Sequence, residues 1–361
     1  MTKARTNASA SPAVGRNMII NGAMNVAQRS ASVTGLGATD GYFTVDRWIL
    51  DFSGSAGRLT MTQTADGPNG ISANCLKLDC TTADAVDGAG ESITLQQRLE
   101  GQNLQRIGKG VAGAQQITVS FYVKASAVFT FGMELFDSDN SRQITKLFDT
   151  TTDWVRHEIT FPADVDDGSS PFNDDNAVSL FLVMWLAAGA DFAGGTLNTA
   201  SWANNTNANR AVGIDNFYSN TNNNFFLTGV QMEVGPVATE FEQEDFGVTL
   251  AKCQRYYQKW LSDSVGDSVM TAAAISDVAF IGDYFLRTSM RSVPTMGTSG
   301  TYKARLKTND RAITGQPSIN RATTENVQIF ATIATDNNES GFAGFLKTDD
   351  DDAFLEFIAE L

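Results

Sequence analysis

The chain holds one histidine and three cysteines in 361 residues. So few imidazoles exclude His-rich metal centres and mechanisms built on paired histidines. An odd cysteine count argues against a disulfide framework. Cys75 and Cys80 lie in NCLKLDC, which alternates like a strand, and an offset of five puts them on opposite faces. They are expected, with Cys253, to be buried free thiols. No apolar run approaches the roughly 18 residues that a transmembrane helix requires. The N-terminus lacks the apolar core of a secretory signal. Positive charge is also scarce: 26 Lys and Arg stand against 41 Asp and Glu, a formal charge of −15. Such a surface repels nucleic-acid phosphates and anionic membranes, so neither nucleic-acid binding nor membrane insertion is expected. P-loop, dinucleotide-binding and G-x-S-x-G fingerprints are missing. Heptads, collagen triplets and solenoid periods are missing too.

What is present is period-two alternation. An apolar fraction of 42% is enough for a sizeable core, and the length suggests two domains. Residues 1–17 are polar, small and basic through Lys3, Arg5 and Arg16, and the first acidic residue of the chain is Asp40. They read as a flexible arm. From residue 18 the pattern is that of strands. Ile117, Val119, Phe121 and Val123 share one face, then Phe129, Phe131, Met133 and Leu135, then Val155, His157, Ile159 and Phe161. Phe226, Thr228, Val230, Met232 and Val234 close the series. The continuous run LFLVMWLA at 180–187 predicts a central strand buried on both sides. Strands separated by turns, without helical stretches between them, indicate a mainly β, antiparallel β-sandwich over 18–245. Apolar spacings of three, four and three at Leu250, Cys253, Tyr257, Trp260 and Leu261 predict a linking helix over 246–261. Further strand candidates make 262–361 a second, smaller β-domain.

Two stretches carry a resemblance. They are NMIINGAMNVAQRS at 17–30, with GYFTVDRW at 41–48, and LTGVQMEVGPVATEFEQEDFGVTLAKCQRYYQKW at 227–260. Asn17, Asn21 and Gly22 match an opening strand, and Thr228, Gly229, Val230, Gln231, Glu233 and Gly235 match a closing strand. Ala238, Thr239, Phe241 and Glu242 follow, then Cys253, Gln254, Arg255, Tyr256 and Tyr257. In these the chain resembles tailed-bacteriophage tail-fibre and appendage proteins with a carbohydrate-binding-module-like jelly roll. The resemblance implies a non-catalytic virion component, located extracellularly on the tail. It implies a homotrimer that docks to other phage structural proteins through the basic arm and attaches to host-surface glycan. A capsid decoration or tail adaptor protein without host binding is the alternative, and a polysaccharide-degrading enzyme a more distant one. The motifs themselves read as structural. Asn21-Gly22 suits a turn with positive φ, and Gly229 a bulge. Some related modules hold calcium between the terminal strands. Here Ala23, Met24, Asn25, Gly229 and Val230 stand where acidic ligands would be, so no metal or other cofactor is expected.

Several side-chain groups remain to be weighed. The stretch 198–224 holds ten asparagines with Trp202, Phe217 and Tyr218. Aromatic platforms stack on sugar rings and planar amides bind their hydroxyls, so Trp202, Asn204, Asn205, Phe217 and Tyr218 are the glycan-site candidates. The competing reading is a polar loop whose Trp plugs the sandwich edge. Asp164, Asp166, Asp167, Asp174 and Asp175 are oxygen-rich but lack EF-hand spacing, and read as a solvated acidic loop. The run Asp349–Asp352 reads as a solvated turn. His157 shares its face with Val155, Ile159 and Phe161, as a hydrogen-bonded core residue would. Nothing in the sequence selects a catalytic residue.

Overall fold

A computed structural model describes residues 15–165, 170–334 and 340–361. The chain divides into two compact units, Met1–Asp245 and Phe246–Leu361. The first is an antiparallel β-sandwich, with thirteen strands among the described residues. These are β1 (Ser32–Leu36), β2 (Gly41–Tyr42), β3 (Ile49–Ser53), β4 (Arg58–Thr64), β5 (Cys75–Thr82), β6 (Ser92–Glu100) and β7 (Ile117–Ala125). They continue as β8 (Thr130–Asp137), β9 (Arg142–Asp149), β10 (Val155–Phe161), β11 (Val178–Ala188), β12 (Ala203–Asn204) and β13 (Asn224–Val234), with a single helical turn α1 (Ala190–Ala193) after β11. One sheet runs β1-β4-β5-β13-β7-β10 and the other β12-β9-β8-β11-β6-β3-β2.

Alternation explains the core. Val119, Phe121 and Val123 of β7 point inward, as do Phe131, Met133 and Leu135 of β8 and Leu180, Leu182 and Met184 of β11. The run at 180–187 is central in its sheet, between β8 and β6, and is buried on both faces as expected except at Phe181, which is partly open. Its second face, with Val183 and Trp185, forms a small cluster of its own with Ala211. All three cysteines are buried and free. Burial pushes the thiols of Cys75 and Cys80 up to about 11, which keeps them protonated and unreactive.

The opening and closing motifs meet. Asn17 donates from Nδ2 to the Val230 carbonyl (3.1 Å), and its Oδ1 accepts from the Met232 amide (3.0 Å). The positive φ of the turn falls on Asn21 (58°), whose amide group bonds Val26 and Asp46. Gly22 serves a different need: a Cβ there would lie 2.0 Å from the Val230 carbonyl oxygen. Gly229 has φ 61° at an irregularity in the β13–β7 ladder, as a bulge requires. Residues 1–14 of the expected arm lie outside the described residues. Its last three do not hang free, because Gly15 and Asn17 donate backbone amides to Glu242 and Arg16 donates to the Glu240 carbonyl. Residues 15–17 are therefore tied to the sandwich.

The acidic loop also differs from expectation at Asp164. Only 5% exposed, it accepts two bonds from Arg142 (2.9 Å each) and lies 3.5 Å from Lys109 Nζ. Lys109 in turn pairs with buried Asp137 at 2.6 Å. Carboxylates enter a core only when paired in this way. Asp166 and Asp167 lie outside the described residues, and Asp174 and Asp175 are exposed.

Among its described residues the second unit contains helix α2 (Phe246–Gln254) and nine strands: β14 (Tyr257–Leu261), β15 (Ser268–Ala274), β16 (Ala279–Phe285), β17 (Thr295–Ser299), β18 (Tyr302–Leu306), β19 (Asn309–Ala322), β20 (Asn326–Ile333), β21 (Ala343–Thr348) and β22 (Phe354–Ile358). Strands β15-β16-β20-β19-β18-β21 close into a barrel, and β14-β22-β17 form a three-stranded sheet. The linking helix expected over 246–261 is thus half helix and half strand. Residues 257–261 pair along their whole length with 354–358, and the Tyr257 hydroxyl donates to Glu356 at 2.6 Å. Tyr and Trp suit a pleated surface, and the ladder with β22 overrides a helical spacing that five residues satisfy by chance. In the acidic turn Asp349 pairs with Lys303 at 2.5 Å and Asp350 accepts from Thr301, while Asp351 and Asp352 are exposed.

His157 sits half-buried, stacked 5.4 Å from Phe121, with Nε2 2.9 Å from the Asp149 carbonyl oxygen. Burial lowers its pKa below 6.5, against the raising effects of the Asp149 carbonyl and charge. The folded state thus favours neutral imidazole. The stability this contributes is present above about pH 6.5 and is lost as pH falls through 6.5 towards the folded pKa. Because the chain has one histidine, its imidazole proton resonance titrates without ambiguity. The expected NMR midpoint lies below 6.5, and a midpoint at or above 6.5 would contradict this environment.

Candidate functional site

The expected glycan residues do not assemble a sugar platform. Trp202 is 7% exposed within the main core, and its Nε1 donates to the Pro162 carbonyl at 2.9 Å. Phe217 and Tyr218 are fully buried in the same core. The Tyr218 ring fills the space where Gly57 lacks a side chain: a Cβ there would approach it to 2.3 Å. None of the three rings has a free face. Asn204 is exposed on β12, and its Oδ1 accepts from Arg142 at 3.4 Å. Asn205 bonds Ser141 through its backbone and Asn207 through its side chain. The aromatic residues close the sandwich, and the asparagines organise turns.

A groove lies elsewhere, on the outer face of the seven-stranded sheet. It measures about 280 Å³ and crosses β3, β6, β11 and β8. Register builds it. Phe181 stands opposite both Arg98 and Phe136, Val183 opposite Gln96 and Glu134, and Trp185 opposite Thr94. Asp51 of β3 then faces Thr94 from the other side. These residues share one face because each alternates with a core residue on its strand. Ser53 and Ser92 complete the strand lining, and Phe192 and Arg210 enter from the segment after β11.

One carboxylate organises the groove. Glu134 is fully buried and accepts both Nε and Nη2 of Arg210 at 2.9 Å, while Trp185 Nε1 donates to it at 2.7 Å. Arg210 is stacked on two rings, with Cζ 4.7 Å from the Phe136 centroid and 5.0 Å from that of Trp185. Phe192 packs against Trp185 at 5.2 Å. Trp185, 3% exposed, is therefore covered. The partly open surfaces are those of Phe136, Phe181, Phe192, Asp51, Arg98 and Arg210. Arg98 lies over the Phe181 ring at 5.2 Å and stands 3.8 Å from Asp51. The Asp51 carboxyl is held above its usual range by burial and then by the Asp40 charge, with Arg98 and Arg210 opposing. Gln96 donates to Thr94 Oγ1 at 2.7 Å, while its Oε1 has no protein partner.

This lining is chemically mixed. Half-open rings provide apolar faces, and guanidinium, amide, hydroxyl and carboxylate groups provide donors and acceptors around them. Such a surface matches a polyhydroxylated ligand that has both C–H faces and hydroxyl edges. Among the described residues, no group of three or more His, Cys, Asp or Glu is placed to hold a metal ion. The apolar run at 180–187 marks a buried strand but does not show that its second face borders a groove. The polar alternation of Thr94, Gln96 and Arg98 between Ile93, Leu95 and Leu99 was the available signal.

No protein-family model matches the chain, and neither does any curated protein. Solved structures that align with it include a CBM4 module, at 12% identity over 59% of this chain and 97% of that one, with a TM-score of 0.32. The xylan-binding CBM22-1 domain of Paenibacillus barcinonensis Xyn10C aligns at 10% identity over 62% and 99%, with a TM-score of 0.28. A family 11 carbohydrate-binding module from Clostridium thermocellum, in complex with a β-1,3-1,4-mixed-linked tetrasaccharide, aligns at 11% identity over 58% and 99%, also with a TM-score of 0.28.

Removing the organising charge tests the geometry. Glu134→Gln leaves the Arg210 guanidinium without its counter-ion in a largely buried position. It is expected to cost the sandwich about 3 kcal/mol in urea denaturation and to speed amide exchange across 190–211. A loss below ~0.5 kcal/mol with unchanged exchange would show that the pair does not hold the segment.

Proposed function

We propose that this protein binds glycan through the groove on the outer face of the sandwich, as a non-catalytic appendage of a bacteriophage particle. The groove carries the binding half of the proposal. Its single most telling feature is the row Arg98–Phe181–Phe136 across three strands, in which the guanidinium lies over the partly open Phe181 ring and the Phe136 ring meets that ring edge-on at 5.7 Å. Rings of this kind contact the apolar face of a sugar, and the flanking Asp51, Gln96 and Arg210 reach its hydroxyls. The virion half is supported by the opening and closing sequence motifs, whose residues meet at Asn17, Gly22 and Val230.

In this reading the basic arm docks to other particle proteins, and host-surface glycan is the ligand. The protein acts as a homotrimer located on the virion. A small groove gives modest affinity, and several copies on one particle multiply it. Sedimentation of the full chain is expected to give three times the 38.8 kDa chain mass. A monomer at micromolar concentration would remove the trimer from the proposal.

The binding claim is tested on an array of bacterial surface polysaccharides, printed before and after periodate oxidation, with the labelled full chain as probe. Phe181→Ala and Arg98→Ala change partly exposed side chains on the outer face, away from the main core, so folding is expected to persist. Each is expected to weaken binding by about tenfold, near 1.4 kcal/mol, with an unchanged melting temperature. Saturable binding that periodate leaves intact, or that both variants retain in full, would remove the groove as a glycan site. Failure of the chain to bind any polysaccharide would favour a capsid or adaptor component.

A further inference from the structure

The two sides of the groove are unlike. Beyond β8 the outer face of the sheet is covered. Gln143 and Thr145 of β9 are 1% and 0% exposed, although they point away from the core. The segment 189–216 lies over them. Its β12 pairs with β9, the Thr145 amide donates to the Asn198 carbonyl at 2.9 Å, and Gln143 Nε2 donates to the Thr206 carbonyl at 3.2 Å. Arg210 fastens this segment to Glu134, and Phe192 fastens it to Trp185. On the opposite side β2 pairs only with Ile49 and Leu50. Beside Asp51 and Ser53 no further strand stands among the described residues; the edge there carries only the exposed Asp40, which accepts from the Phe52 amide at 2.7 Å.

Resting on the glycan reading above, we infer that the groove receives the non-reducing end of a saccharide and not an internal stretch. An internal stretch must leave a groove on both sides. A chain entering over β3 crosses β6 and β11 and then meets the Arg210 wall, about three strand spacings or ~14 Å from its entry. Of the β11 residues that line the groove only Phe181 is partly open, because Val183 and Trp185 are 1% and 3% exposed beneath their neighbours, so the crossing runs over Arg98 and Phe181 and no track along β11 is open. The wall also has chemistry suited to a chain end. A terminal sugar keeps the hydroxyl that an internal sugar has converted to a glycosidic bond, and that hydroxyl needs a partner when buried. Arg210 binds Glu134 through Nε and Nη2, and its Nη1 remains as a donor on a residue that lines the groove. Glycans fixed to a surface are anchored through their reducing ends, so the non-reducing end is the one presented.

The test uses linear gluco-, galacto-, manno- and xylo-oligosaccharides, from disaccharides to octasaccharides, titrated calorimetrically into the full chain. Chain-end binding predicts a molar affinity that levels off at the trisaccharide. It also predicts a loss of about tenfold or more when the terminal hydroxyl that would carry the next sugar is methylated. Affinity that keeps rising to the octasaccharide, or a methylated oligosaccharide that binds as well as the free one, would overturn the chain-end inference and leave the glycan reading standing. No binding by any member of the four series, with no binding on the polysaccharide array, would overturn both.

Discussion

The outer face of the sandwich depends on the pairing of Glu134 with Arg210. A carboxylate with no exposure must be neutralised, and here a bidentate guanidinium and an indole N–H complete its bonding. The consequence reaches beyond the pair. Arg210 brings the segment after β11 down over β8 and β9, its plane lies over the Trp185 ring and over one face of the Phe136 ring, and the groove begins beside that cover. One buried charge thereby divides a continuous sheet face into a packed half and an open half.

The same sheet carries both the core and the candidate groove because β11 is central. Its even-numbered residues from Leu180 to Leu186 belong to the core, and Phe181, Val183 and Trp185 belong to the second face. Rigid strands hold the groove residues in register, so little conformational entropy is lost when a ligand binds. The opening motif contributes indirectly. Asn17 and Gly22 join the start of the sandwich to β13 at Val230 and Met232, in the sheet opposite the groove. The motif residues are thus fold determinants, while the candidate ligand contacts lie in strands with no distinctive sequence.

The second unit is organised by a different closure. Its barrel removes free sheet edges by joining β15 to β21, and β20 alternates strictly between buried and intermediate positions. The three-stranded sheet uses the last strand of the chain, β22, as its centre, which gives the 257–261 segment a partner about one hundred residues away in sequence.

By itself the sequence determined what local geometry controls. Period-two alternation identified the strands of the sandwich and the doubly buried run at 180–187, and an offset of five kept Cys75 and Cys80 apart. The Asn21-Gly22 and Gly229 positions were legible as backbone devices, although the division of labour between Asn21 and Gly22 was not. Tertiary structure alone decided exposure. Trp202, Phe217 and Tyr218 have the composition of a sugar site and lie in the core, whereas Phe136 and Phe181 look like ordinary strand residues and line the groove. Asp164 looked solvated and is a buried ion-pair partner, and 257–261 looked helical and is a strand. The reason is one of range. Which face a side chain occupies follows from its immediate neighbours in the strand. Whether that face meets water depends on what folds over it, and here the covering residue, Arg210, lies 76 positions from the glutamate that holds it.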